Sequence, residues 1–324
     1  MLSRFFQYSA ILLLSTLASA AQTTQAGQVK LLTSIKPIQL IAADMLGELA
    51  RVEVLLPPGR SPHHYSLKPS SIRRIHNADL FIWGGEDLEL FLTKTVSQLE
   101  HPALALLEDA GDQEADTAEH GDAHSHDEKH DDGKHEHEHE HEHEHEHEGD
   151  PHFWMAPERA LAAADKIKDR LVLLYPSDAK LYERAYVDFE QRLAHTDQQL
   201  KQQLQPVADV GFFVFHDAFS GFVEHYQLRQ LGYFTVDPGR KPGARRLTEI
   251  RAALESEQAR CIFVEPQFKA PVVDSLIRGL NIRVGRLDPL ASETKAVSGG
   301  YSDYLQALAG SLSHCLSGEI KEKK

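Results

Sequence analysis

Between Pro157 and Gln205 apolar residues recur at steps of three and four: Ala164, Ile167, Leu171 and Leu174, then Leu181, Ala185, Phe189, Leu193, Leu200 and Leu204. Such spacing lines one face of a helix for a core. Pro157 suits a first helical position, where a missing N–H costs nothing. Pro176 interrupts the stripe, which resumes beyond it, so the expectation is one long, nearly continuous linking helix over 157–205. At ~1.5 Å per residue, a helix of that length outreaches a single small lobe. A chain built around such a strut needs folded material on either side of it.

The same alternation of strand and helix appears on both sides. Val29, Leu31, Leu32 and Ile35 mark a buried strand, followed by Pro37 and a helical pattern through Ile41, Met45 and Leu49. Val52–Leu56 reads as a second strand, stopped by Pro57-Pro58-Gly59, and Leu80–Trp83 as another after a helix opened at Pro69. Beyond the strut, Gly211–Phe215 is a strand that delivers His216 and Asp217. Glu249–Ala259 reads as a helix, and Cys261–Val264 and Ile282–Val284 as strands. Short apolar runs alternating with helices predict an α/β fold of two similar lobes, each a mostly parallel sheet flanked by helices, joined by one long rigid helix. At 324 residues and 41% hydrophobic, the chain suits two lobes better than one. The predicted boundaries are 28–156 for the N-terminal lobe, 157–205 for the linker, 206–317 for the C-terminal lobe and 318–324 for a tail.

The formal charge of −15 is misleading as a property of the folded body. Residues 112–150 carry 17 Asp or Glu against Lys129 and Lys134, which accounts for all of it, and the rest of the chain balances. No basic stripe stands out, which argues against nucleic acid as a partner. Residues 112–149 have almost no apolar side chains and are expected to stay disordered within the first lobe. This tract holds His120, His124, His126, His130, His135, His137, His139, His141, His143, His145 and His147. Its repeated matches to H-E-x-x-H arise from simple alternation. Its imidazoles and carboxylates read instead as weak, exchangeable metal ligands.

Arg4, the apolar run Ala10–Leu17 and Ala18-Ser19-Ala20 read as a signal peptide over 1–20, cleaved near Ala20. The run is too short to cross a bilayer, which needs about 20 residues. Export implies an oxidising compartment, so Cys261 and Cys315, the two cysteines of the chain, are expected to pair. Closing that loop contributes about 4 kcal/mol in the chain-entropy account.

Several ordered histidines lie outside the tract. His63 and His64 sit in the loop after the second strand, and His152 is fixed between Pro151 and Phe153-Trp154. His216 and Asp288 stand at strand carboxyl ends, where ligands bind in such sheets. Three imidazoles and one oxygen make a good zinc set, and nitrogen ligands favour zinc over manganese. His76, His101, His195, His225 and His314 fit no motif and read as ordinary surface or core residues.

Four segments together carry a resemblance: Pro62-His63-His64-Tyr65-Ser66-Leu67-Lys68-Pro69-Ser70, Asp150-Pro151-His152-Phe153-Trp154, Phe213-Val214-Phe215-His216-Asp217-Ala218 and Leu287-Asp288-Pro289. In that order they resemble the ligand-region motifs of the cluster A-I metal-binding solute-binding proteins, specifically the zinc receptors among them. The resemblance runs from Val29 to Leu316 and includes the His-rich insert and the cysteine pair. It implies two lobes joined by a rigid helix, metal in the cleft, and docking on a membrane ABC permease with its cytoplasmic ATPase. His63, His152 and His216 match the three histidine ligands, and histidine rather than carboxylate at the third implies zinc. Some zinc receptors place glutamate directly before the first histidine, where this chain has Pro62. Asp288, a water or His64 then remain for the fourth position, the first two ahead of His64.

The leading expectation is therefore a non-enzymatic, monomeric periplasmic protein that captures Zn²⁺ and delivers it to an ABC importer. One alternative is a zinc-dependent hydrolase with Asp217 or Glu265 as general base, although no catalytic motif accompanies either. Another is a metal buffer acting through the His-rich loop.

Overall fold

The computed structural model describes residues 28–107 and 150–318, apart from 237, 238, 240, 241, 257 and 268–270. The expected signal peptide, the eleven histidines of the acidic tract and the tail beyond Gly318 lie outside the described residues.

The first sheet has strands β1 (Val29–Thr33), β2 (Ala50–Val54), β3 (Leu80–Trp83) and β4 (Ala103–Ala105), in the order β2-β1-β3-β4 and wholly parallel. Helices α1 (Lys36–Leu46), α2 (Pro69–His76) and α3 (Glu86–Val96) connect or flank them. The second sheet has β5 (Gly211–His216), β6 (Gln230–Thr235), β7 (Ala259–Val264) and β8 (Arg283–Arg286), in the order β6-β5-β7-β8, again all parallel. Helices α6 (Ser220–His225), α7 (Ala244–Glu255) and α8 (Pro271–Leu276) belong to this half. The two halves thus share one strand order. Every residue of β3 and of β5 is buried, as a parallel strand covered on both faces must be. Gly211 opens β5 where a Cβ would lie 2.1 Å from the Gln258 carbonyl oxygen, so no larger residue fits that approach.

Strand and helix ends differ from the sequence pattern by a few residues. β2 begins at Ala50 rather than Val52, and α7 ends at Glu255, leaving Ala259 to open β7. β4 and β6 are too short or too mixed in burial to stand out as apolar runs.

The stretch 157–205 requires a larger correction. It is not one nearly continuous helix but two, α4 (Pro157–Leu174) and α5 (Ala179–Leu204), separated by a short 3₁₀ turn at Pro176–Asp178. Proline lacks the N–H that would continue the ladder and its ring crowds the preceding turn. The chain reverses there: α4 and α5 pack on one another, with Lys168 over the Tyr186 ring at 5.0 Å. The stripe keeps its spacing because each helix buries a face of its own. The 26-residue α5, about 39 Å long, is the long helix joining the lobes.

α5 packs against α1 and against α9 (Gly300–Ser317). Asp44 of α1, 1% exposed, fastens all three. It accepts from Arg192 Nη2 at 3.0 Å, from the Gly299 amide at 2.8 Å and from the Tyr301 amide at 3.1 Å. Gly299 adopts φ 83°, a left-handed conformation that a side chain would resist. A single apolar core runs from β1 and α1 through α4, α5 and α9 to Phe212, Cys261 and Phe263 of the second sheet. A smaller core, including Phe215, Phe234, Ile250 and Ile262, lies on the other face of that sheet. The expected disulfide is present and pins α9 to β7 through Cys315 and Cys261.

Candidate metal-binding site

Both sheets direct their strand carboxyl ends toward one cleft, and four loops and one strand end deliver its lining. His63 lies in a 3₁₀ turn, Pro62–His64, where Ser61 Oγ accepts from the His63 amide at 3.3 Å. His152 is held by a local turn in which Asp150 Oδ1 accepts from the His152 amide at 3.0 Å. The 3₁₀ turn Phe153–Met155 then leads into α4. Trp154 Nε1 donates to the Pro289 carbonyl at 2.8 Å, and Tyr301 Oη donates to the Trp154 carbonyl at 2.6 Å. His216 ends β5.

These three imidazoles, far apart in the chain, meet. Ring centroids are 5.5 Å apart for His63 and His152, 5.5 Å for His63 and His216, and 5.0 Å for His152 and His216. One nitrogen from each lies within 4.8 Å of the others, the only such group of three or more His, Cys, Asp or Glu among the described residues. They line a cleft of about 260 Å³ with Ser61, Pro62, Glu265, Pro289 and Leu290.

The electrostatics keep His152 a neutral ligand. Burial lowers its pKa, and the hydrogen bond from Nδ1 to Asp150 Oδ1, 2.7 Å, offsets that only in part. Burial works to raise the Asp150 carboxyl, but the hydrogen bonds from His152, with the charge of Arg159, outweigh it and hold the group below the ordinary range. His152 Nε2 is buried and has no hydrogen-bond partner, and the same is true of His216 Nε2. A buried nitrogen lone pair costs free energy unless something binds it. Neutral imidazoles with free, convergent nitrogens are what a divalent transition metal requires.

The other candidate ligands are placed elsewhere. Asp288 accepts from the Leu290 amide at 3.1 Å, from the Ser292 amide at 2.7 Å and from Gln267 Nε2. Its carboxylate shapes the loop carrying Pro289 and Leu290 and does not belong to the three-imidazole group. His64 is exposed and outside that group. Two carboxylates stand beside it that the sequence did not offer as ligands: Asp150, and Glu265, which entered only as a general base in the hydrolase alternative and whose Oε1 is 3.3 Å from His216 Nδ1. The signals were present, an Asx turn two residues before a histidine and an acid at the end of a buried strand.

A two-lobed α/β scaffold with convergent histidines in its cleft defines a metal-binding solute-binding protein. The family described as ZnuA, zinc-uptake complex component A periplasmic, matches residues 31–315, and the chain belongs to it. It is 40% identical over 303 residues to the high-affinity zinc uptake system protein ZnuA of Haemophilus ducreyi, covering 93% of this chain and 97% of that protein. With the ZnuA of Yersinia pestis it shares 38% over 293 residues, 88% of this chain and 90% of that one. Among solved structures, a zinc-bound ZnuA deletion mutant superposes with a TM-score of 0.69 at 23% identity, over 90% of this chain and all of the other (100%). The periplasmic zinc-binding protein TroA of Treponema pallidum gives 0.69 at 18%, over 90% and 99%. At these identities the two structures speak for the fold.

Proposed function

We propose that this chain is a periplasmic receptor that captures Zn²⁺ in the cleft between its lobes and delivers it to an ABC importer. The convergence of His63, His152 and His216 carries the reading, and the zinc-uptake proteins it matches over nearly their whole length support it. Solute-binding proteins of this family are not enzymes. In this reading the three imidazoles ligate the ion, and a water fills the fourth position, since the carboxylate of Asp288 is engaged in its own loop. The chain is exported by cleavage near Ala20, acts as a monomer, and docks on a permease driven by a cytoplasmic ATPase. The residue ranges 28–156, 157–205 and 206–317 are its first lobe, connecting helices and second lobe. The His-rich tract adds weak, exchangeable sites, so deleting 112–148 leaves one tight zinc in place.

The test is the metal content and zinc affinity of the mature protein beside His63→Ala, His152→Ala and His216→Ala. Each variant is expected to lose tight binding, by about 100-fold or more, for want of one ligand of a small set. Each should still unfold cooperatively without metal. Tight zinc retained by any two of the three variants overturns the assignment.

A further inference from the structure

Two of the three imidazoles have a carboxylate at Nδ1 and a partnerless, buried Nε2. At His152 the arrangement is complete, with Asp150 Oδ1 at 2.7 Å from Nδ1. At His216 the same parts are present, drawn from different strands. Glu265 follows β7 directly and His216 closes β5, the neighbouring strand, so both side chains emerge at the same sheet end. Both are buried, 3% exposed each. Glu265 Oε1 lies 3.3 Å from His216 Nδ1, near but not aligned for a hydrogen bond, and neither atom has a hydrogen-bond partner among the described residues. A small rotation of the imidazole gives each atom the partner it lacks, and a buried carboxylate oxygen left without one is costly.

A carboxylate so close to a cluster of ligands can hold the metal itself or hold a histidine that does. In a tetrahedral site with bonds near 2.0 Å, each ligand atom lies about 3.3 Å from the other three. Glu265 meets that separation toward one nitrogen of His216, yet it is not part of the group whose ligand atoms all lie within 4.8 Å of one another. It therefore stands behind His216 rather than beside it. Resting on the reading of the three histidines as zinc ligands, we infer that Glu265 is a positioning residue for zinc capture. It accepts the Nδ1 proton of His216, fixes the tautomer, and presents the Nε2 lone pair to the ion. The two pairs, one in each lobe, then use one device: an acid selects which imidazole nitrogen stays available, as the partners of metal-bound histidines commonly do.

The experiment compares the full mature protein with Glu265→Gln, Glu265→Ala and His216→Ala. Long-range ¹H–¹⁵N spectra of the zinc-loaded wild type are expected to show His216 protonated at Nδ1 and bound through Nε2, with no Glu265 oxygen at bonding distance by zinc-edge X-ray absorption. In chelator competition, Glu265→Ala is expected to bind zinc about 10- to 100-fold more weakly. Glu265→Gln, whose carboxamide oxygen still accepts, keeps the tautomer and most of the affinity. The inference is overturned by a His216 bound through Nδ1, by a Glu265 oxygen bonded to the zinc, by wild-type affinity in the alanine variant, or by equal losses in Gln and Ala. His216→Ala separates the two levels. If it loses zinc while Glu265→Ala does not, only the positioning role falls; if it keeps zinc, the ligand set itself is wrong.

Discussion

Glu89 offers a sharp test of the physical account, because its charge state is set by burial. It is fully buried in α3, at the ends of β1 and β3, with Oε2 accepting from Ser34 Oγ at 2.9 Å and from the Gly84 amide at 2.7 Å. Burial pushes its pKa up from 4.5 to about 7, against the opposing pull of those two hydrogen bonds. A folded-state pKa above the unfolded one means that the native protein holds the proton more tightly. The resulting stability is complete below pH 4.5, declines above it, and is gone once pH passes 7. The difference between those two values corresponds to about 3 kcal/mol, of which about 2.5 kcal/mol is lost between pH 5 and pH 8. Glu89→Gln keeps the oxygen acceptor and removes the titration. Urea unfolding of zinc-free wild type and variant, each at both pH values, isolates this group because all other ionisations are common to the two proteins. The variant is expected to gain on the wild type by about 2.5 kcal/mol on going from pH 5 to pH 8. A gap that stays constant within roughly half a kcal/mol, or one that narrows, refutes the burial argument.

Three further outcomes follow from the same coordinates. Zinc affinity should fall as pH drops through about 6.5, since protons compete for imidazole nitrogen. Burial lowers the His152 pKa, so that ligand yields only below the ordinary histidine value, and affinity unchanged down to pH 5 would speak against histidine ligation. Asp44→Ala leaves Arg192 and the Gly299 and Tyr301 amides without their shared acceptor. A loss of roughly 3 kcal/mol in zinc-free stability is expected by denaturant titration. Replacing Cys261 and Cys315 by serine frees α9 from β7 and should cost about 4 kcal/mol in the same assay, with zinc stoichiometry unchanged.

Strands such as Leu80–Trp83 and Gly211–His216 were legible in the sequence because burial on both faces demands an unbroken apolar run, a requirement met within the segment itself. The helix starts at Pro69 and Pro157 were equally local. So were the three histidines, each marked by the proline, aromatic or strand residues that flank it. Pro176 showed the limit of such signals. The apolar stripe on either side has the same spacing whether the chain runs straight on or folds back, and only the packing of α4 on α5 distinguishes the two.

The carboxylates illustrate the same division. From sequence, Asp288 and Glu265 are alike, acids just beyond a strand end. In the structure Asp288 turns back to the Leu290 and Ser292 amides, whereas Glu265 faces His216 across the neighbouring strand. Which acid reaches the cleft depends on strand order and on how each loop satisfies its own amides. By itself the sequence determined the fully buried strands, the helix starts at prolines, the paired cysteines and which imidazoles were on offer, because backbone periodicity and turn chemistry act over a few residues. Only the tertiary structure decided that His63, His152 and His216 meet, which carboxylates stand behind them, and that the connection between lobes is two packed helices. Those outcomes depend on contacts between segments that are distant in the chain.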